Sequence, residues 1–305
     1  KTVSRMEEIT KIESIDQYDQ LFGLETLHPL VNVIDFSKAT KTVDYYRMNI
    51  GFYSLFLKDA KCGDLRYGRK YYDYQEGTVV CMAPGQVIGI DNRKQTPIRT
   101  KSIGLLFHPD LIRGTSLGQN IKHYNFFSYE VNEALHLSEQ EREIVTDCIH
   151  KIQIELEHAI DKHSKQLIVR NIELLLDYCM RFYERQFITR NQANKDIIVK
   201  FEQLLDEYFQ NQTALTEGLP SVKYFADKVC LSSNYFGDLI KKETGKTAQE
   251  YIQHRIIELA KERILEGSQT VSQIAYELGF QYAQHFSRLF KKNVGCTPNE
   301  YKQQN

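Results

Sequence analysis

Between Leu30 and Phe107 the apolar residues come in short β-rich runs, LVNVIDF, FYSLFL, TVVCM, QVIGI and SIGLLF. Turn signals at Cys62-Gly63-Asp64, Glu76-Gly77 and Pro84-Gly85 separate them. Many short strands with no helix between them predict a small barrel or double sheet. From Ser138 the spacing lengthens. Ile144, Val145, Cys148, Ile149, Ile152, Leu156 and Ile160, then Ile168, Ile172, Leu175, Cys179 and Phe182, recur with the period of two amphipathic helices. These helices either pack wholly on the sheets or keep one exposed stripe for a dimer contact. The stretch TRNQANKD, residues 189–196, is polar and lacks apolar periodicity, so it reads as a linker. Asp196 then stands where it can cap a helix carrying Ile197, Phe201, Leu204, Leu205 and Tyr208. The fold class expected is α+β in two domains. Residues 1–188 hold strands over about 30–107 and helices over about 139–187, and residues 197–305 are all-α.

The helical part contains a repeat. FGDLIKKETGKTAQEY, from Phe236 to Tyr251, returns as FSRLFKKNVGCTPNEY, from Phe286 to Tyr301. The match extends upstream with an offset shorter by one: Val222, Phe225, Ala226 and Val229 echo Val271, Ile274, Ala275 and Leu278. Two copies are too few for a solenoid and indicate a duplicated module. Each copy reads as a short helix, a tight turn and a second helix, about 221–245 and about 270–295. Ser221, Ser233 and the Thr270/Gln273 pair have capping positions, and Gly245 and Gly295 stand where a helix needs a left-handed stop. Thr247 opens a connecting helix of about 19 residues, about 28 Å at 1.5 Å per residue, against about 34 Å for one turn of DNA.

Within each second helix, Phe236, Leu239 and Ile240 match Phe286, Leu289 and Phe290 at i, i+3, i+4 spacing and are expected in the core. The unmatched positions around them carry the candidate chemistry: Asn234, Gly237 and Asp238 in the first copy, with Ser233 before them, and Gln284, His285, Ser287 and Arg288 in the second. Side chains of this kind can read base edges in the major groove. Arg pairs with guanine, Asn or Gln with adenine, and Asp accepts from cytosine. Lys241-Lys242 and Lys291-Lys292 follow near the helix ends, where they suit phosphates or the helix dipole. Gly237 has no side chain and Asp238 is an anion, so the second copy is the expected stronger reader.

Charge alters this picture little. The 305 residues carry a net charge of −1, but from Pro220 onward twelve Lys and Arg face nine Asp and Glu, a surplus of three that leaves the remainder at −4. The six cysteines, at 62, 81, 148, 179, 230 and 296, lack C-x-x-C spacing and read as reduced, buried side chains of a cytoplasmic protein. No apolar run is long enough to span a bilayer, and the first residues lack a signal-peptide core, so neither membrane nor export is expected. His28, His108, His123 and His136 are isolated, and no metal or other cofactor is expected.

The terminal string GFQYAQHFSRLFKKNVGCTPNEY, following two helix-turn-helix signatures joined by one helix, resembles the AraC/XylS family of bacterial transcription regulators over roughly Asp196 to Tyr301. YGRKYYDYQEGTVVCMAPGQVIGI is similar to that family's cupin-like sensor barrel. The resemblance implies a double-stranded DNA operator, RNA polymerase as partner of an activator, a small-molecule effector, and a homodimer formed through the N-terminal domain. It also implies base-reading positions at Asn234, Gly237 and Asp238 in the first copy and at Ala283, Gln284, His285 and Arg288 in the second, and no catalytic role. Tyr45, Phe52, Tyr53, Tyr72 and Tyr74 are the aromatic residues expected to line an effector pocket, although aromatic residues at strand spacing also serve as core. Two other functions stay open: a constitutive DNA-binding protein whose barrel only dimerises, and a cupin-type enzyme or DNA-repair alkyl acceptor with a DNA-binding tail. The enzyme readings lack a ligand cluster and a Pro-Cys-His setting respectively.

Overall fold

The computed structural model describes residues 9–41, 45–58, 77–91, 102–130, 133–159, 161–189 and 191–304. The chain divides after Thr189 into two compact units.

In the first unit, β1 (Thr10–Ile12), α1 (Ile15–Phe22), β2 (Val31–Asp35), β3 (Tyr45–Ile50), β4 (Tyr53–Lys58), β5 (Thr78–Met82), β6 (Val87–Asp91) and β7 (Ser102–Phe107) precede two short helices, α2 (Pro109–Ile112) and α3 (Ser116–Asn120). β8 (Leu135–His136), α4 (Glu139–Glu157) and α5 (Ser164–Thr189) complete it. The strands form a three-stranded sheet in the order β1-β3-β6 and a five-stranded antiparallel sheet in the order β2-β7-β4-β5-β8. All five runs read as strands from the sequence are strands. β3, whose residues include Tyr45, was not among them.

The side-chain alternation of the larger sheet explains its two faces. Ile34, Phe56, Val80, Met82 and Leu106 join Met48, Ile50 and Ile88 of the smaller sheet, with Tyr18 and Phe22 of α1, in one core cluster. Gly104 is required there because a Cβ would come within 2.6 Å of the Phe56 ring, which lies across its strand. Leu55, Leu57, Val79 and Leu105 are buried on the other face. The expected helices are present as α4 and α5, with Val145, Cys148, Ile149, Ile152 and Leu156 buried against Ile168, Ile172, Leu175, Cys179 and Phe182. Polar contacts fasten α5 to β8. The Arg185 guanidinium donates to the His136 carbonyl and to Glu141, both at 2.7 Å, and Gln186 exchanges bonds with the His136 N–H and the Ala134 carbonyl.

The second unit is helical: α6 (Asn191–Gln210), α7 (Thr213–Glu217), α8 (Val222–Lys228), α9 (Ser233–Thr244), α10 (Ala248–Glu266), α11 (Val271–Glu277), α12 (Ala283–Val294) and α13 (Pro298–Gln304). Within the expected linker at 189–196, Thr189 ends α5 and residues 191–196 are helix, so Asp196 lies inside α6 rather than capping it. Its polar residues are ordered by tertiary contact, not by an apolar stripe: Asn194 is buried and its amide donates to Glu243 of α9 at 3.3 Å. Phe201 of α6 is the hub of this unit, with ring centroids 5.1 Å from both Phe225 and Phe236.

The expectation of buried cysteines holds for Cys81, Cys148 and Cys179, whose thiols are pushed up in pKa by burial. It fails for Cys230, which is exposed, and for Cys296, which is half-buried. Both stand in turns that follow a helix, where side chains meet solvent. Cys62 lies outside the described residues.

Candidate nucleic-acid interface

Two helix pairs, α8–α9 and α11–α12, flank α10. Each begins on a cap. The Ser221 hydroxyl accepts the Tyr224 N–H at 3.1 Å, and Thr270 and Gln273 close a reciprocal capping box. The turns then follow one path. Leu231 and Phe280 return their N–H groups to the carbonyls of Ala226 and Ala275, both at 3.0 Å, after a left-handed residue, Cys230 in one copy and Gly279 in the other. Gly279 has a second reason to lack a side chain, since a Cβ would meet Gly218 at 2.6 Å. Ala226 and Ala275 are wholly buried, as two helices crossing at a tight turn require.

The second helix of each pair is anchored by its apolar side. Tyr235, Phe236, Leu239 and Ile240 of α9, and Phe286 and Phe290 of α12, are buried. Gly245 and Gly295 end the two helices in left-handed conformations, each donating its N–H at 2.9 Å to the carbonyl of the first lysine of its pair, Lys241 or Lys291. The shared Thr and Glu that follow are capping boxes as well, Thr247 with Glu250 and Thr297 with Glu300. The bonds from Thr247 and Thr297 hold the carboxyls of Glu250 and Glu300 below the usual range, and nearby Lys241 and Lys291 lower them further.

α10 fixes the spacing between the pairs. It runs 19 residues, from Ala248 to Glu266, and buries Ile252, Ile256, Ile257, Ala260 and Ile264. Two contacts one turn apart tie it to α6: the Tyr251 hydroxyl donates to Glu202, and Arg255 meets Asp206 at 2.8 Å. The Tyr251 hydroxyl is pushed up to about 12, first by burial and then by that carboxylate. Arg263 binds Glu277 of α11 at 3.0 Å on the other side.

The outward faces differ between copies. On α12, Gln284, His285, Arg288, Lys291 and Lys292 are exposed, while Ala283 and Ser287 are half-buried between them. On α9, Asn234, Lys241 and Lys242 are exposed. Asp238 is half-buried and already engaged within the protein, and a Cβ on Gly237 would have nothing within 4 Å. Arg288 and the four lysines form no ion pair with a described residue. Ser233 is the first residue of α9 rather than its cap; Ser232 caps it, accepting the Tyr235 N–H at 3.2 Å. Sequence reasoning chose the wrong member of a Ser-Ser pair because either offers the same oxygen. It also passed over Tyr282, the residue before α12, which is 61% exposed.

Of the aromatic residues expected around an effector, only Phe52 and Tyr53 have described side chains, and these two lie in different clusters. Phe52 is fully buried in the core cluster between the sheets. Tyr53 stacks on Phe107 with centroids 5.0 Å apart and meets Phe127 edge-on. The Tyr45 side chain, Tyr72 and Tyr74 lie outside the described residues. A cavity of about 360 Å³ in the first unit is lined by other residues, among them Thr115, Ser116, Lys162, Lys165 and Arg170. Among the described residues no cluster of His, Cys, Asp and Glu can hold a metal ion, and no helix is long and apolar enough to cross a membrane.

One comparison with known proteins falls on the same residues. A family model described as a helix-turn-helix domain matches residues 225–304. The chain is 25% identical over 146 residues to the probable transcriptional regulator LumQ of Photobacterium leiognathi, covering 48% of this chain and 54% of LumQ. It is 24% identical over 158 residues to the HTH-type transcriptional activator RhaS of Citrobacter koseri, covering 51% and 53%. The chain thus spans about half the length of these relatives. Among solved structures, the C-terminal domain of AraT, a response regulator from Geobacillus stearothermophilus, aligns at 24% identity over 36% of this chain and 85% of that one, with a TM-score of 0.32. Residues 225–304 of the helical second unit therefore match a helix-turn-helix domain, and the relatives with which this chain aligns are named as transcriptional regulators.

Proposed function

We propose that the chain is a sequence-specific transcription regulator that binds double-stranded DNA, and not an enzyme. In this reading each helix pair is a helix-turn-helix unit, α9 and α12 enter successive major grooves, and α10 sets their separation. The observation that carries it is the outward face of α12, where Gln284, His285 and Arg288 stand exposed above buried Phe286 and Phe290, with Lys291 and Lys292 beyond them in no ion pair with a described residue. Arg288 and Gln284 have the donors and acceptors for guanine and adenine edges, and the lysines suit phosphates. Asn234, Lys241 and Lys242 supply a thinner set on α9, with Ser233 at its start, so α12 is the principal reader.

The first unit is read as the controlling part, through a small-molecule effector or a homodimer. The exposed Leu167, Leu174 and Ile188 along α5 favour a dimer stripe. RNA polymerase is the further partner if the protein activates, and the cytoplasm is the compartment in which such DNA is met.

The test is selection of duplexes from a random pool by the full chain. Two half-sites about 10 to 10.5 base pairs apart are expected, and Arg288→Ala is expected to cost about 1 to 3 kcal/mol on the selected duplex. Failure to select any shared sequence would overturn the reading.

A further inference from the structure

The duplicated scaffold gives an internal comparison, because a residue changed in one copy shows what the scaffold itself does not require. Counted back from Phe236 and Phe286, the residue before α9 is Ser232 and its counterpart before α12 is Tyr282. Ser232 caps its helix through its hydroxyl. Tyr282, at φ −133° and ψ 124°, makes no side-chain bond to the first turn of α12. The second copy also inserts one residue, Gln281, after the matched turn, so the chain enters α12 by a path that α9 does not use.

What replaced the cap is an aromatic ring that packs on no core. Tyr282 is 61% exposed, and its ring meets His285 with centroids 5.5 Å apart and planes at 70°. His285 occupies the position of Tyr235, which is 4% exposed in the first copy. The second copy therefore has two outward rings where the first has a serine and a buried tyrosine, side by side at the N-terminal end of the helix. They stand beside Gln284 and one turn before Arg288. Losing a cap and leaving an aromatic ring in water both destabilise the free protein, and among the described residues the Tyr282 ring meets no aromatic partner but His285.

A DNA-facing role does account for both. The N-terminal residues of a recognition helix are those that reach base edges, and a ring offers apolar contact to the C5-methyl group that thymine presents in the major groove. We propose that Tyr282 is a specificity-determining residue of α12, its ring braced by His285 against a base pair next to those read by Gln284 and Arg288, with a preference for thymine. This rests on the DNA-reading role proposed above.

The experiment compares full-length wild type, Tyr282→Ser, Tyr282→Phe and Arg288→Ala on the duplex selected by the wild type, using fluorescence anisotropy, with thermal melting of the free proteins alongside. Serine restores the cap seen in the first copy, so Tyr282→Ser is expected to melt no lower than wild type while binding about tenfold more weakly. Repeated selection with it is expected to lose preference at one or two adjacent base pairs and keep the rest. Tyr282→Phe keeps the ring and is expected to bind within about twofold of wild type. Wild-type affinity and an unchanged selected sequence for Tyr282→Ser would overturn the proposal, as would a lower melting temperature, which would make the ring structural. Equal weakening on selected and unrelated duplexes would mark a phosphate contact and overturn the base-reading assignment. If Arg288→Ala weakens binding while Tyr282→Ser does not, only the Tyr282 proposal falls; if the wild type selects no sequence, the reading beneath it falls.

Discussion

Gly237 stands in the middle of α9, where glycine disfavours helix by about 1 kcal/mol relative to alanine. A Cβ there would meet nothing within 4 Å, so no neighbour inside the protein explains its absence. Gly237→Ala is accordingly expected to stabilise the second unit by about 0.5 to 1 kcal/mol in chemical denaturation. It is also expected to weaken binding to the selected duplex, because close approach of α9 to DNA is what remains to require the missing methyl. A stabilised variant with undiminished affinity would show that α9 stands clear of the bases. At this scale the sequence was legible wherever the repeat acted as a control. Phe236 with Phe286, Gly245 with Gly295 and Thr247 with Thr297 are each core, stop or cap in both copies. It was less legible at Ser232 and Ser233, where two equal oxygens compete for one cap, and at Tyr282, which looks like any turn aromatic until its exposure is known.

Among elements, α10 bears most directly on the proposed geometry, and its two sides contribute unequally. Ile256 is 2% exposed, and truncating a buried isoleucine removes transfer free energy and leaves a cavity. Ile256→Ala is expected to cost about 2 to 5 kcal/mol in urea denaturation. Arg255 and Asp206 form a good pair at 2.8 Å, but their side chains are 36% and 44% exposed and compete with water. Arg255→Ala is therefore expected to cost less than about 1 kcal/mol. Comparable losses for the two variants would mean that the α6–α10 tie, not the apolar stripe, holds the connecting helix. α10 was readable because its isoleucines follow helical spacing behind a Thr-x-x-Glu cap. The start of α6 was not, because Asn191 to Asp196 carry no apolar period and Asn194 is fixed by a glutamate 49 residues away. α1 and β3 escaped for a related reason: their apolar residues find partners in a core assembled from two sheets, which no local window contains.

For the whole molecule, the division after Thr189 separates two cores with different architectures, a double sheet backed by helices and a bundle gathered around Phe201. A unit that buries its own aromatic hub and caps its own helices does not need the other to fold. Residues 190–305 expressed alone are expected to unfold in one cooperative transition and to bind the duplex selected by the full chain. The salt dependence of that binding then tests which cations face phosphates. Lys241, Lys242, Lys291 and Lys292 are exposed and form no ion pair with a described residue, and if each neutralises one phosphate, log K is expected to fall with log salt at a slope of about −3.6. Replacing Lys291 and Lys292 together by alanine is expected to reduce that slope by about 1.8, since each phosphate contact contributes about 0.9. Arg288→Ala, assigned to a base edge, is expected to weaken binding with little change in slope. If the lysine pair leaves the slope unchanged while Arg288→Ala reduces it, the two roles are exchanged: the lysines serve the dipole of α12, and the arginine is a phosphate contact rather than a reader.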